Sequence, residues 1–391
     1  MRRARGFTLI ELMVGVALGL LATVVIAQVF LQSEGNKRAT TSGTDAQVTG
    51  ASALFTLQRD IQGAGYGLTA WPDGLGCPLS GSYSGATVLN PASDILAPVV
   101  IGFGASASAS DTITVMASGK PGYSVPIKVA SDHAAIDTKF TVASNLGVAA
   151  NDFMLAMPAA WTASSGCTLF VATATTPTTE IPHAAANGWN ASTAIFPSAG
   201  YPSGSILVNL GPAPVRRRYA VSVNSSTTSV NAWSLQVQDT LNATNAAAST
   251  AAQEMFPQVV LLKALYGMAS AANGPVTSYS TAAPSGTNWR LVQSIRLVLV
   301  ARSGQFEKDA VTLNAPEWAV GTLLAAKGNA GTTLGACRQD STSTCLVLDV
   351  SASGAGNVTD PQGATQPEWQ HYRYKVFDTI VPLRNVVWNQ S

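Results

Sequence analysis

The sequence predicts an α+β protein: one long amino-terminal helix, apolar enough at its start to cross a membrane, followed by a β-rich head of mostly antiparallel strands. Three observations lead there. From Phe7 to Leu31 the chain is almost wholly apolar, with Glu11 as its only charge. Helical spacing then persists through a more polar stretch to about Gln62, where Gly63, Gly65 and Gly67 end it. Beyond those glycines the chain breaks into short apolar or alternating runs separated by Gly, Pro, Asn, Ser and Asp.

The first run exceeds the roughly 20 residues a helix needs to span a bilayer. Arg2, Arg3 and Arg5 precede it, so the positive-inside rule keeps that end cytoplasmic and sends everything after about residue 32 outward. An ionised carboxylate in hydrocarbon costs a few kcal/mol unless it is paired, so Glu11 implies a partner of opposite charge. Gly15 and Gly19 form a small-xxx-small pair of the kind that lets membrane helices approach closely.

In the polar half of the helix, Val48, Ala51, Leu54, Phe55 and Ile61 are assigned to a face packed on the head, and Gln47, Ser52, Arg59 and Gln62 to the opposite face. Unbroken from Phe7 to Gln62, such a helix spans about 80 Å at 1.5 Å per residue. Gly35, Thr40, Thr41, Ser42 and Gly43 are weak helix formers and mark residues 33–44 as the place where it is most easily broken. The first proline is Pro72, so the helix carries no proline kink.

Strands are expected at Ile95 to Phe103, Thr112 to Met116, Val125 to Val129, Phe140 to Ala143, Phe153 to Met157, Thr168 to Ala172, Ile206 to Leu210, Tyr219 to Val223 and Trp233 to Val237. Another runs from Arg290 to Ala301, where Leu291, Ile295, Leu297 and Leu299 alternate with Arg290, Ser294 and Arg296, the pattern of a strand with one solvated face. The Ala, Ser and Thr-rich stretch Leu241 to Gln253 reads as a loop or short surface helix. Hydrophobic residues make up 47% and charged residues 11% of the 391, so the head can bury a core and disorder is not expected.

Cys77, Cys167, Cys337 and Cys345 all fall on the side predicted to lie outside the cytoplasm, where disulfides persist. Three pairings are possible. The favoured one joins Cys337 to Cys345 as a local clamp and Cys77 to Cys167 as a long tie. No CxxC is present, and His133, His183 and His371 lie far from the cysteines in sequence, so no metal site is expected.

No catalytic residues are expected either, since the chain has no nucleophile elbow, zinc-protease motif, phosphate-binding loop or calcium loop. Gly102 to Ala107 fits a dinucleotide GxGxxA string but is followed by a strand and not a helix, so no cofactor is expected. Arg216, Arg217 and Arg218 read as a solvated strand start, and a net charge of +1 gives no reason to expect nucleic acid. The eight tryptophans are spread along the chain as core or loop-packing residues.

Met-Arg-Arg-Ala-Arg followed by Gly6-Phe-Thr-Leu-Ile-Glu11-Leu-Met-Val resembles the type IV prepilin signature. The resemblance implies that residues 1–6 are a leader cut between Gly6 and Phe7 by a prepilin peptidase, with methylation of the new amino group of Phe7. It implies that residues 7–62 form the pilin helix and residues 63–391 a periplasmic or extracellular head. It also gives Glu11 its partner: in such proteins the matching carboxylate is thought to meet the N-terminal ammonium of an adjacent subunit in the filament. Further in, LQRDIQGAGYG (Leu57 to Gly67), VVLLKALYG (Val259 to Gly267), VQSIRLVLVARS (Val292 to Ser303) and YRYKVFDTIVPLRN (Tyr372 to Asn385) look like pieces of the PilW family of minor pilins.

That resemblance implies a subunit held in the inner membrane by one span, later carried into a pilus at the cell surface. It would help initiate the pilus and sit at or near its tip, with other minor pilins, the major pilin and a tip adhesin as partners. The competing readings are a J-type minor pseudopilin of type II secretion, whose relatives are usually much shorter, and an adhesin-like binding head.

Overall fold

A computed structural model describes residues 8–122, 125–162, 165–184, 188–190, 195–223, 233–241, 251–321, 334–354, 356–359 and 363–389. Helix α1 runs unbroken from Leu9 to Gly63, 55 residues, through the stretch marked from sequence as its weakest. Its last turn ends where Ala64 adopts an extended backbone, and Gly65 and Gly67 then take positive φ values of 82° and 75°, which only glycine adopts without strain.

The buried face of α1 differs in part from the expected one: Ile61 is fully buried and Leu54 half-buried against the core as expected, but the other three are not. Ala46, Gly50, Ala53, Leu57, Ile61 and Ala64 are buried at helical spacing, whereas Val48 and Phe55 stand 61% and 67% exposed and Ala51 is exposed as well. Large apolar side chains misled the assignment. A sheet lies so close to the helix around Gly50 that a small residue is needed there, and a Cβ on Gly50 would clash with the ring of Phe377.

Along the chain the first eleven strands are β1 (Leu79–Tyr83), β2 (Ala86–Leu89), β3 (Val99–Gly102), β4 (Thr112–Ala117), β5 (Ile127–Lys128), β6 (Lys139–Thr141), β7 (Phe153–Met157), β8 (Cys167–Val171), β9 (Glu180–Pro182), β10 (Ile206–Gly211) and β11 (Val215–Val223). They continue with β12 (Trp233–Asp239), β13 (Gln253–Pro257), β14 (Val259–Ala269), β15 (Val276–Ser280), β16 (Val292–Arg302), β17 (Glu317–Ala319), β18 (Leu334–Ala336), β19 (Thr344–Val347), β20 (Asn357–Thr359), β21 (Thr365–Pro367) and β22 (Tyr374–Pro382). A short helix, α2 (Arg384–Asn389), closes the described chain. Of the stretch read as a loop or surface helix, residues 242–250 lie outside the described residues and Gln253 opens β13.

Two sheets grip the lower half of α1. One is antiparallel, in the order β15-β14-β16-β22, and the other, also antiparallel, runs β13-β12-β11-β4-β3. Ala53, Leu57 and Ile61 share a core with Val99, Ile113, Tyr219, Leu262, Leu297 and Val381, drawn from both sheets. The face of β16 expected to be solvated is buried: Val298 and Val300 pack on Trp318 and Leu346 of the small sheet β17-β19-β18. Arg296 lies between those layers, its guanidinium 5.1 Å from the Trp318 ring and donating to the Val320 carbonyl at 3.1 Å.

The remaining lobe is built on a six-stranded sheet, β2-β1-β8-β7-β10-β5, with apolar clusters on both faces. Its β1–β8 pair is parallel, and the bond Cys77–Cys167 crosses beside it. The second disulfide, Cys337–Cys345, closes the turn between β18 and β19. Two expected strands at sheet edges shrink: Val125 to Val129 becomes the two-residue β5, and Ile95 to Phe103 becomes β3 after Pro98.

Candidate assembly site

The stretch Leu9–Glu34 is the one segment among the described residues long and apolar enough to cross a membrane, and none of it is covered by the head. Gly6 and Phe7 lie outside the described residues. Glu11 lies in the first turn of α1, where Thr8 is the N-cap. The Thr8 hydroxyl accepts from the Glu11 backbone N–H at 3.3 Å, and the Glu11 carboxylate accepts from the Thr8 N–H and hydroxyl, both at 3.2 Å. This reciprocal capping box satisfies donors the helix end would otherwise leave open. It also holds the carboxylate against the amino-terminal end of the helix, where the backbone dipole favours negative charge. Gly15 and Gly19 have nothing within 4 Å of an added Cβ, so both present bare backbone on an uncovered helix.

At its other end the stem is fastened by residues from distant parts of the sequence. Asp60 accepts a short hydrogen bond from the Tyr219 hydroxyl and one from Arg217 Nη1 at 3.3 Å. Burial, then the bonded Asp60 carboxylate, raise Tyr219 above the usual phenol range, so it remains a donor. Asn385 Nδ2 donates to the carbonyls of Gly63 and Ala64 at 3.2 and 3.0 Å, capping α1 from the carboxy-terminal segment. Thr69 Oγ1 donates to the Asn385 carbonyl at 2.9 Å. Sequence reasoning noticed LQRDIQGAGYG and VPLRN as separate strings; the structure brings them together as one clasp. Gly50, Asp60 and Tyr219 were missed, and the only local hint was the run of small residues on α1.

The arginine triplet is not a solvated strand start. Arg216 forms a short ion pair with Asp94 and donates to Thr240 Oγ1 at 3.0 Å, Arg217 joins Asp60 and Asp239, and Arg218 is the exposed member. The GxGxxA string lies in the β3–β4 hairpin, where Asp111 accepts from the Gly104 N–H at 2.9 Å and pairs with buried Lys263 at 3.4 Å. Burial raises the Asp111 pKa against the opposing pull of Lys263. The histidines are not all scattered: His133 and His183 meet in the core, while His371 is buried apart and donates from Nδ1 to the Glu307 carbonyl at 2.9 Å. Among the described residues no three His, Cys, Asp or Glu side chains gather as metal ligands.

Two family models match the chain. Residues 1–27 match the prokaryotic N-terminal methylation motif, and residues 218–385 match the family described as Type IV Pilus-assembly protein W. A solved structure, the type IV-like pilin TTHA1219 from Thermus thermophilus, aligns over 88% of this chain and 96% of its own at 10% identity and a TM-score of 0.27. No curated protein matches the chain. An apolar stem with the methylation motif, carrying a mostly antiparallel head, makes the chain similar to type IV pilins. Within that class residues 218–385 are similar to the PilW family, a match that begins in β11 and ends on Asn385, the residue that caps α1.

Proposed function

We propose that this chain is a minor pilin that helps initiate assembly of a type IV pilus and sits at or near its tip. Before assembly, Leu9–Glu34 anchors it in the inner membrane with the head in the periplasm. A prepilin peptidase removes residues 1–6, and Phe7 becomes the methylated amino terminus. The observation that carries the reading is Glu11. It is the only charge of the apolar run, and its carboxylate is held at the exposed start of the helix. An ammonium from a neighbouring subunit meeting it would neutralise both charges in a medium that penalises either alone.

Deletion of the gene tests this. Surface pili and twitching should fall sharply, while the wild-type protein should appear in sheared pili only in traces relative to the major pilin. Normal pili with exoproteins trapped in the periplasm would instead select the pseudopilus. Gly6→Ala or a larger substitution should leave the protein at its uncut size in the inner membrane, and shortened protein in that mutant would remove the prepilin reading.

A further inference from the structure

The lobe outside the PilW match, built on β1, β2 and β5 to β10, contains a pair of titratable groups that the assembly reading does not use. His133 and His183 are 3% and 4% exposed, and their Nε2 atoms are 2.9 Å apart. His133 stacks on Phe140 with ring centres 3.8 Å apart, and Phe170 and Phe196 meet His183 edge to face. The pair sits at a junction. His133 exchanges backbone hydrogen bonds with Tyr201 at 2.8 Å each way, and the His183 N–H bonds the Thr138 carbonyl at 2.8 Å just beyond the β6–β9 pair. The cluster they belong to joins those segments to the inner face of β7, β8 and β10.

Neutral imidazoles fit this geometry in one way, with one Nε2–H donating to the other Nε2. His133 Nδ1 is buried with no partner, so leaving it a bare acceptor and placing the proton on His133 Nε2 avoids an orphan N–H. A second proton on the facing nitrogens would set two N–H groups head to head at 2.9 Å. A proton on His133 Nδ1 would bury both a charge and an unpaired donor among aromatic rings.

The charged groups on the surrounding segments offset this only in part: the Asp137 carboxylate favours the charged form of both rings, but burial outweighs it. Asp132 and Asp137 on the preceding loop accept from the backbone N–H groups of Ser203 and Ala134, both at 2.7 Å. Lys139 of β6 and Glu180 of β9 pair with each other at 2.7 Å. Tyr201 bonds Thr168 and the Gly166 carbonyl, and burial holds its phenol protonated.

We infer that the His133–His183 pair is a proton-sensitive latch: as neutral imidazoles they hold the β6–β9 pair and residues 195–204 closed on the six-stranded sheet, and protonation opens this part of the head while the half wrapped around α1 stays folded. Burial, and then the neighbouring His133, push His183 down to about 3, and burial lowers His133 too. Each ring therefore takes a proton more readily in the open lobe than in the closed one. Closed-state stability is full above about pH 6.5, the ordinary histidine value, and falls as pH drops toward the folded values.

The test is hydrogen exchange on the full chain in detergent micelles at pH 7.5 and pH 5.0, corrected for intrinsic exchange rates. Opening of residues 129–142 and 195–207 should increase by at least about 30-fold at pH 5.0 for one histidine that titrates only in the open lobe. Segments in β14 and β16 should not change. His183→Phe, which keeps a ring in the aromatic box, should reduce the pH response to that of His133 alone, and the variant with phenylalanine at both positions should abolish it. Equal protection of the lobe at both pH values, or acid loosening that persists when both histidines are phenylalanine, would overturn the latch. Should those variants fail to fold, histidine resonances of the wild type decide: both should stay neutral well below pH 6 until the lobe opens, and ordinary titration near pH 6.5 in a closed lobe refutes the proposal.

Discussion

Between Leu9 and Leu31 the large apolar side chains of α1 stand 46% to 77% exposed, whereas between Ala46 and Ala64 the residues driven to near-zero exposure are mostly alanine and glycine. Both halves belong to one unbroken helix. Their surroundings differ: lipid accepts bulky apolar groups on every side, while two sheets closing on the lower half leave room for small ones along one stripe. Exposed apolar bulk on every side therefore marks the upper half, whereas small residues mark the closest approach of the head, from Ala46 to Ala53. Substitutions should separate the two halves, because changes in the lower half act on folding and changes in the upper half on assembly.

Leu57 lies at the centre of the lower stripe, fully buried in the core shared by both gripping sheets. Leu57→Ala should cost about 2–5 kcal/mol, from lost burial plus the cavity left behind. Denaturant titration of the detergent-solubilised chain reads this directly. A loss below about 1 kcal/mol would mean the stem is not integral to the head, and the contrast between halves would fail.

Gly50→Val tests the small-residue rule itself. A side chain there must displace Phe377 on β22, an overpacking cost of about 1–3 kcal/mol. Gly50→Val with Phe377→Ala should recover part of that loss, and no recovery would show that the strain lies elsewhere. A helix-propensity argument alone predicts the opposite sign for Gly50→Val, since glycine is the poorer helix former.

How much of this was legible in the sequence follows from the same contrast. The span was readable because its signal is local: an uninterrupted apolar run with a single carboxylate. Strand β7 was readable because Phe153 to Met157 is buried on both faces and needs no partner to be noticed. The docked face of α1 was misread because Val48 and Phe55 carry more hydrophobicity than Ala46, Gly50 and Ala53, and periodicity cannot say how near the opposing sheet lies. The solvated face given to β16 failed for a similar reason, since alternation within the strand cannot show that β17 to β19 fold back over it as a covering layer. Contacts such as Asp60 with Tyr219, Gly63 with Asn385, and His133 with His183 join residues 50 to more than 300 positions apart, which no local pattern reports.

Phe55→Ser probes the exposed side of the lower half. With 67% of the residue open, the change should alter head stability by no more than about 0.5 kcal/mol. If pili nevertheless decline in that strain, this face of the stem meets a neighbouring subunit. A large stability loss would instead restore the face first assigned from the sequence.

Glu11→Ala should take least from the head and most from the filament. The residue lies 35 positions before Ala46, the first buried residue of α1 among those described, so denaturant midpoints of the head should match the wild type. The substitution removes a charge from the span and should not hinder insertion. It does remove the reciprocal capping of Thr8, which costs the first turn about 1 kcal/mol and lets the helix start fray. Glu11→Gln separates these effects, because an amide oxygen can still accept from the Thr8 N–H but carries no charge for an incoming ammonium. If capping alone mattered, Glu11→Gln would assemble normally and Glu11→Ala would not. If charge pairing carries docking, both variants should be processed and inserted yet missing from sheared pili, and the recovery of either at wild-type level would sink the role given to Glu11.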